Sequence, residues 1–321
     1  MKKTLLLSAL VAVIFFGCKK DHTTPGTTAQ KKYPVTFNMS DFTQTISSTS
    51  GKQQINSLKA DAATANIAAY ATVLHLTVFN SAGALVRQYR QLAGVSNYGI
   101  IVDSLTAGTY TVVADAGQNF LDLPWTYGNT ALTLGTAKIF YDTRDNGGTP
   151  TSFRVYDGLW SDTFFSKFQI TIANAGVDQT VNLTRIVSKL EVDFKDVIPP
   201  AAARVDMFVN KEYFEYGFAN ASPQLADTIT SHFIIPDSVK GTSNYKFSQL
   251  VLNTTTPFNV SLTAYDSANH IIATHAVSNV SCTKNQRTIL TGNFSNAINN
   301  NNKGFSITVD PNWGAPTVVH Y

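Results

Sequence analysis

One eleven-residue phrase occurs twice in this chain. LTVFNSAGALV runs from Leu76 to Val86, and LTAYDSANHII runs from Leu262 to Ile272. Leu, Thr, Ser and Ala recur unchanged, while Phe/Tyr, Asn/Asp, Gly/Asn, Leu/Ile and Val/Ile are conservative exchanges. Each copy has an apolar run at period two, a four-residue polar turn and an apolar return, which is the pattern of a β-hairpin. One copy falls in each half of the chain. The repeat therefore predicts two similar β-sandwich domains, the first over 32–182 and the second over 183–321.

The surrounding sequence fits that frame. A length of 321 residues suits about two domains. Strand-like runs follow one another with short turns: YPVTFNM, VLHLTVFN, ALVRQY, YGIIVDSL, GTYTVVADA, FQITIA, TVNLT and KLEVDF in the first half. RVDMFVN, TSHFIIP, KFSQLVL, FNVSLTAYD, HIIATHAV, RTILTG and FSITVD make up the second. In VLHLTVF, Leu74, Leu76 and Val78 share one face, and His75, Thr77 and Phe79 share the other. TYGNTALTLGTAKIFYDT is the best candidate for short helical or irregular structure, and PPAAARVD predicts a single turn after Pro200. With no regular βα alternation, the fold class is all-β, built as two tandem antiparallel β-sandwiches.

The start of the chain has a different purpose. MKKTLLLSALVAVIFFGCKKD has basic Lys2 and Lys3, an apolar run from Leu5 to Phe16, and Gly17 directly before Cys18. This is the layout of a secretory signal peptide over 1–17, with an apolar run too short to span a bilayer comfortably. Gly17 is the expected cleavage position, and Cys18 the expected lipidation site that anchors the mature chain in membrane lipid. The segment 18–31, which carries Pro25 and Gly26 and no apolar periodicity, reads as a flexible tether. If Cys18 is lipidated, Cys282 has no partner and serves as a small buried hydrophobe, so no disulfide framework supports the fold. Losing Lys2 and Lys3 would bring the net charge from +3 to +1, which gives no attraction for nucleic acid.

Chemistry-bearing constellations are sparse. HExxH, GxSxG and CxxC motifs do not occur, so neither catalysis nor a cofactor is expected. His270 and His275 are five apart on an expected strand, which sends them to opposite faces and spoils a shared metal site. DTRDNGG, from Asp142 to Gly148, has oxygen donors beside glycine but departs from the calcium-loop spacing and reads as a polar turn. The aromatic runs LPWTYG, LWSDTFF and EYFEYGF could form a carbohydrate-stacking platform, or serve as core and interdomain contacts.

Taken in order, several stretches resemble one family. KKYPVTFNMSDF follows the tether; LHLTVFNSAGALVRQ precedes GIIVDSLTAGTYTVVADAG; DTFFSKFQITI leads into VNLTRIVSKLEVDFKD; and NQRTILTGNFSNA comes before GFSITVDPNWG. With the lipidation signal, this resembles the fimbrillin and fimbrial-anchor family of Bacteroidota type V pili. That resemblance implies outer-membrane lipoproteins at the cell surface, with two transthyretin-like sandwiches, working in adhesion and pilus assembly. Lys19, Lys20 and Asp21 form a charged triplet of the kind that routes such lipoproteins outward.

The resemblance also implies a mechanism, in which a cut removes the N-terminal strand and a strand of the next subunit fills the groove. Here Tyr33 to Met39 would be the removable strand, and Lys52 and Lys59 in the following loop would be the cleavage points. Other fimbrial subunits would be partners by strand exchange, with TVVHY at the C-terminus as a short donor strand. Anchor members instead keep their lipid and end the fibre. The loop lacks an arginine, so a polymerising subunit, an anchor and a stand-alone surface lipoprotein all stay open at this point. The alternative function is glycan binding beside an outer-membrane importer, with glycans or a host surface as partner. Asp103-Ser104-Leu105, Asp227-Thr228-Ile229, Asp237-Ser238-Val239 and Asp266-Ser267-Ala268 match a short O-glycan attachment pattern found in such organisms.

Overall fold

Alternating apolar residues separated by turn chemistry produce strands throughout the chain. The computed structural model describes residues 30–39, 41–42, 65–118, 131–140, 160–295 and 305–310. In the first half the strands are β1 (Lys32–Asn38), β2 (Asp41–Phe42), β3 (Ala65–Asn66), β4 (Val73–Asn80), β5 (Leu85–Leu92), β6 (Ile100–Thr106), β7 (Gly108–Gly117), β8 (Lys138–Ile139), β9 (Phe164–Ile172), β10 (Val177–Thr180) and β11 (Thr184–Arg185). They form a three-stranded sheet of order β10-β1-β6 and a five-stranded sheet of order β11-β9-β7-β4-β5. Val35, Phe37, Ile101 and Leu105 from the first sheet meet Leu74, Leu76, Val112 and Ile170 from the second in one apolar core.

The second half contributes β12 (Ser188–Phe194), β13 (Ala202–Gly217), β14 (Ser222–Ile234), β15 (Tyr245–Val251), β16 (Phe258–Asp266), β17 (Ile271–Val280), β18 (Arg287–Gly292) and β19 (Ser306–Asp310). Its sheets run β15-β12-β18-β19 and β14-β13-β16-β17. Leu190, Val192 and Leu290 face Val205, Met207, Val260 and Leu262 across a second core. The two halves share one strand order. Replacing β1, β4, β5, β6, β7, β9 and β10 by β12 to β18 in turn converts the first arrangement into the second. Each half adds one parallel pairing to its antiparallel ladders, β1 with β10 and β12 with β18.

This equivalence corrects the reading of the repeated phrase. LTVFNSAGALV forms the β4–β5 hairpin, but LTAYDSANHII forms β16–β17, whose counterparts in the first half are β7 and β9. The two copies therefore do not occupy matching positions. What they share is a turn. Asn80 Oδ1 accepts from the amides of Ala82 (3.0 Å) and Ala84 (2.9 Å), and Asp266 Oδ1 accepts from those of Ala268 (2.9 Å) and His270 (2.8 Å). Gly83 and Asn269 take the left-handed conformation at φ +77° and +62°, where glycine and asparagine are favoured. Both hairpins shift register just before the turn, between Val78 and Phe79 and between Ala264 and Tyr265. Local turn chemistry is enough to impose this phrase on any two hairpins.

The halves are joined by a β-arm. β13 pairs with β16 only from Ala202 to Val209, and beyond a bulge it continues to Gly217 with β14 but without β16. At its tip Tyr216 and Gly217 pair with Ile139 and Lys138 of β8; the stretch expected to be short helical or irregular is, over its described part, 131–140, irregular with a turn and this two-residue strand. Phe218 and Tyr216 pack edge-on against Phe165, and Phe218 also against Phe79, at centroid distances of 4.9–6.4 Å. Trp160 donates Nε1–H to the Tyr213 carbonyl at 2.7 Å. Arg185, only 3% exposed, holds both Asp162 oxygens (2.5 and 2.7 Å) and donates to Asn285 Oδ1 at 2.6 Å. The expected turn after Pro200 is present, with the Ala202 amide donating to the Pro199 carbonyl at 3.0 Å.

At the bulge, Glu212 is 1% exposed. Its Oε1 accepts from the amides of Tyr213, Leu252 and Asn253 at 2.8, 2.8 and 3.0 Å, fastening the elbow of the arm to the end of β15. Burial pushes this carboxyl up to about 7 against the pull of the three amides. Cys282 is buried, as expected, and burial raises its thiol to about 11.

Candidate functional site: the groove around the first strand

KYPVTFN gives β1 its place. Val35 and Phe37 are fully buried and Met39, just past the strand, is 1% exposed, while the alternate Lys32 and Pro34 face outward. Burying three such side chains stabilises by about 5–9 kcal/mol on transfer scales. β1 is the middle strand of its sheet. On one side it pairs antiparallel with β6 from Lys32↔Thr106 to Asn38↔Ile100, and on the other it runs parallel to β10 from Val35↔Val177 to Asn38↔Thr180. The Met39 amide donates to the Gly99 carbonyl (2.7 Å), and the Val181 amide donates to the Asn38 carbonyl (2.9 Å). The sequence-derived strand, Tyr33 to Met39, thus fills a groove whose walls are β6 and β10.

The walls are tailored to it. An added Cβ on Gly176 would lie 2.9 Å from Pro34 Cγ and 3.0 Å from its carbonyl oxygen, so glycine is what lets the chain before β10 approach β1. Opposite, Asp103 of β6 is paired with Arg87 of β5 at 3.3 Å, which places a charge pair across the open side of the sandwich. Burial and the neighbouring Asp103 carboxylate push the Tyr89 hydroxyl up to about 12. Immediately after β1, β2 pairs with β3 through Asp41↔Asn66 and Phe42↔Ala65. That ladder brings together the ends of the segment carrying Lys52 and Lys59. A cut there would leave β1 held by pairing and packing alone.

Gly17, Cys18, Lys52 and Lys59 themselves lie outside the described residues, as do DTRDNGG, LPWTYG and the TVVHY segment. Two of the three aromatic runs are placed. Trp160, Phe164, Phe165, Tyr216 and Phe218 are 0–4% exposed, committed to the joint and the first core rather than to a sugar-stacking surface. His270 binds Asp266 at 3.0 Å, whereas His275 Nε2 donates to the Phe294 carbonyl, 3.0 Å away, so they do not converge. Among the described residues no cluster of metal-ligating side chains occurs. Of the O-glycan pattern hydroxyls, Thr228, Ser238 and Ser267 are exposed and Ser104 is half-buried.

Some polar features escape sequence reading. His75 Nδ1 lies 2.8 Å from Asp115 Oδ1, both fully buried on the face of β4 and β7 opposite the first core. Burial raises the Asp115 carboxyl, and His75 opposes that shift. The alternation in VLHLTVF located His75 on that face, but nothing local identified Asp115 as its partner.

A model of the fimbrillin-A associated anchor proteins Mfa1 and Mfa2 matches residues 57–318. The chain belongs to this family. Membership makes it a fimbrial-anchor type of protein, associated with the cell envelope and with other fimbrial components. The fold also recurs in solved structures. The fimbrial anchor protein Mfa2 from Porphyromonas gingivalis is 14% identical, with a TM-score of 0.50 over 87% of this chain and 97% of that one. A candidate polysaccharide-binding protein from Bacteroides thetaiotaomicron is 12% identical, with a TM-score of 0.54 over 82% and 93%. A candidate adhesin from Bacteroides ovatus is 12% identical, with a TM-score of 0.51 over 87% and 92%. At such identities the likeness is one of fold. A search of curated protein sequences returns no match. Among the described residues no helix is long and apolar enough to cross a membrane.

Proposed function

We propose that this anchor-family chain is a lipid-anchored protein of the outer membrane, facing the cell surface, that terminates a fimbrium without performing catalysis. In this reading 32–182 and 183–321 are its two sandwiches, Gly17–Cys18 is the processing site, and acylated Cys18 holds the chain in membrane lipid. The observation that carries the proposal is the position of β1. It closes its groove along both edges, and it follows the tether directly in the sequence. While β1 stays in place, neither β6 nor β10 offers that groove to an incoming strand, so a chain that keeps β1 can end a fibre on that side. Removal by a cut at Lys52 or Lys59 would expose backbone donors and acceptors along both walls and convert the terminator into an acceptor.

The test is to express the chain with intact Cys18 and with Cys18→Ser, supplying a labelled fatty acid. Label and whole-cell protease sensitivity are expected only for the intact form. An unlabelled intact chain, or one shielded inside the cell, would overturn the anchoring. Mixing the mature chain with its own copy lacking residues 33–39 separates terminator from subunit. Ladders are expected only from the shortened form.

A further inference from the structure

The fold places β1 where a pull on the tether must arrive. Lys32 is the first residue of the first strand, so tension on the segment before it enters the sheet there. β10 runs parallel to β1, and its C-terminal end continues through Val181, Leu183 and β11 into β12 of the second half. Load entering at Lys32 and passing on to the second half therefore arrives at one end of the β1–β10 pair and leaves from the other. Under that geometry the ladder bonds are stretched together, in shear, because they lie across the direction of pull rather than along it. Seven register pairs with β6 and four with β10 share the load. Val35, Phe37 and Met39 would also have to be dragged through the core before the strand could move.

The second half repeats the device. β12, the strand by which the chain enters it, is parallel to β18 from Lys189↔Arg287 to Phe194↔Gly292. The Lys189 amide donates to the Gln286 carbonyl (3.1 Å) and the Lys195 amide to the Gly292 carbonyl (2.9 Å), extending the ladder at both ends. Between the halves, Arg185 bridges Asp162 and Asn285 from its buried position. Parallel pairing of the incoming strand with a later strand of the same sheet is thus kept in both sandwiches, although every other ladder among the described residues is antiparallel.

From this arrangement we propose a mechanical function: β1 between β6 and β10 is a force-bearing clamp that resists tension applied through the N-terminal tether. The proposal rests on the anchor reading for the source of the load, but the clamp itself is a property of the strand geometry. It accounts for a central rather than a peripheral first strand, because an edge strand would share the load with only one neighbour.

The experiment is single-molecule force spectroscopy on the full mature chain, comparing two pulling directions at one loading rate. Handles at the N-terminal tether and the C-terminus load β1 in shear. Handles on Lys32→Cys and Thr106→Cys, which face each other across the β1–β6 ladder, open it one pair at a time. The first rupture in the shear direction is expected at a force at least about twofold higher than in the opening direction, since forced unfolding follows the barrier along the pulling path. Equal forces, or a weaker shear direction, would overturn the clamp. With Cys18→Ser in the cysteine-handle chain, buried Cys282, with its raised thiol, leaves the handle chemistry undisturbed. The two failures are distinguishable: absent acylation at Cys18 would remove the source of load while leaving the force ratio intact, and equal forces would remove the clamp while leaving acylation intact.

Discussion

The two halves share a strand order and differ in what lies on the outside of the larger sheet. In the first half the middle of that outer face is closed, since His75, Thr77 and Phe79 on β4 and Val113 and Asp115 on β7 are all fully buried, and only Leu85 and Leu92 on the edge strand β5 are left 40 and 46% exposed. In the second, the corresponding face of β13, β14 and β17 leaves Phe208, Ile234 and Ile271 exposed to 38, 71 and 61%. The β-arm explains part of the difference, since its tip packs Tyr216 and Phe218 onto Phe79 and Phe165. One topology thus yields a first sandwich pinned from outside by the second, and a second that keeps its own face open. The same side-chain chemistry should consequently have opposite consequences in the two places.

Truncation tests that contrast most strongly. Phe79→Ala should destabilise by about 3–5 kcal/mol in urea unfolding, because it leaves a hole where sheet and arm meet. Arg185→Ala should cost about 3 kcal/mol by leaving Asp162 unpaired in a buried joint, and should separate the unfolding of the halves into two steps seen by different probes. A single coincident transition in that variant would mean that the halves cooperate without the joint.

The elbow of the arm gives a pH signature. The Glu212 carboxyl is raised to about 7 in the folded protein against an ordinary value of 4.5, so the folded state binds its proton more tightly than the unfolded chain does. Stability from this group is full below about pH 4.5, declines as pH rises towards 7 and levels off above, a loss of about 3 kcal/mol. Glu212→Gln keeps a carbonyl oxygen for the three amides and should flatten that decline; an unchanged pH profile would contradict the assignment.

Smaller effects sharpen the comparison. Gly176→Ala pushes a methyl group against Pro34 and should weaken β1 docking by about 1–3 kcal/mol, read as faster amide exchange in β1 than in β12. Phe208→Ala on the open face should change stability by less than about 1 kcal/mol, and a loss as large as that of Phe79→Ala would mean that the two faces are alike after all.

Much of this was legible in the sequence where the pattern is local. VLHLTVFN, FNVSLTAYD and RTILTG coincide with β4, β16 and β18 because period-two apolarity and flanking turns specify a strand without reference to its neighbours. The arm was not legible. EYFEYG places carboxylates at Glu212 and Glu215, which reads as solvent-facing, yet both are buried because amides of Leu252 and Asn253 hold one and Lys138, 2.6 Å away, holds the other. Partners that distant leave no local signal. TVNLT shows the converse error: Val181 and Leu183 are buried in alternation, but the ladder strand is the preceding VDQT. At the candidate site, YPVTFNM announced a strand, whereas its central position depended on Asp103 and Val177, far along the chain. The repeated phrase pointed to two related sandwiches through turns that sit at unmatched positions, so it speaks for a shared turn chemistry, whereas the strand order common to the halves leaves no trace in it.

The central claim is that β1 occupies a groove able to hold a strand of its own kind. A fluorescent peptide of sequence KYPVTFNM, titrated against the mature chain and against the chain lacking residues 33–39, tests it directly, with near-ultraviolet circular dichroism reporting that both are folded. Saturable binding to the shortened chain alone is the expected result. Equal binding to both, or none to a shortened chain that is folded, would contradict it.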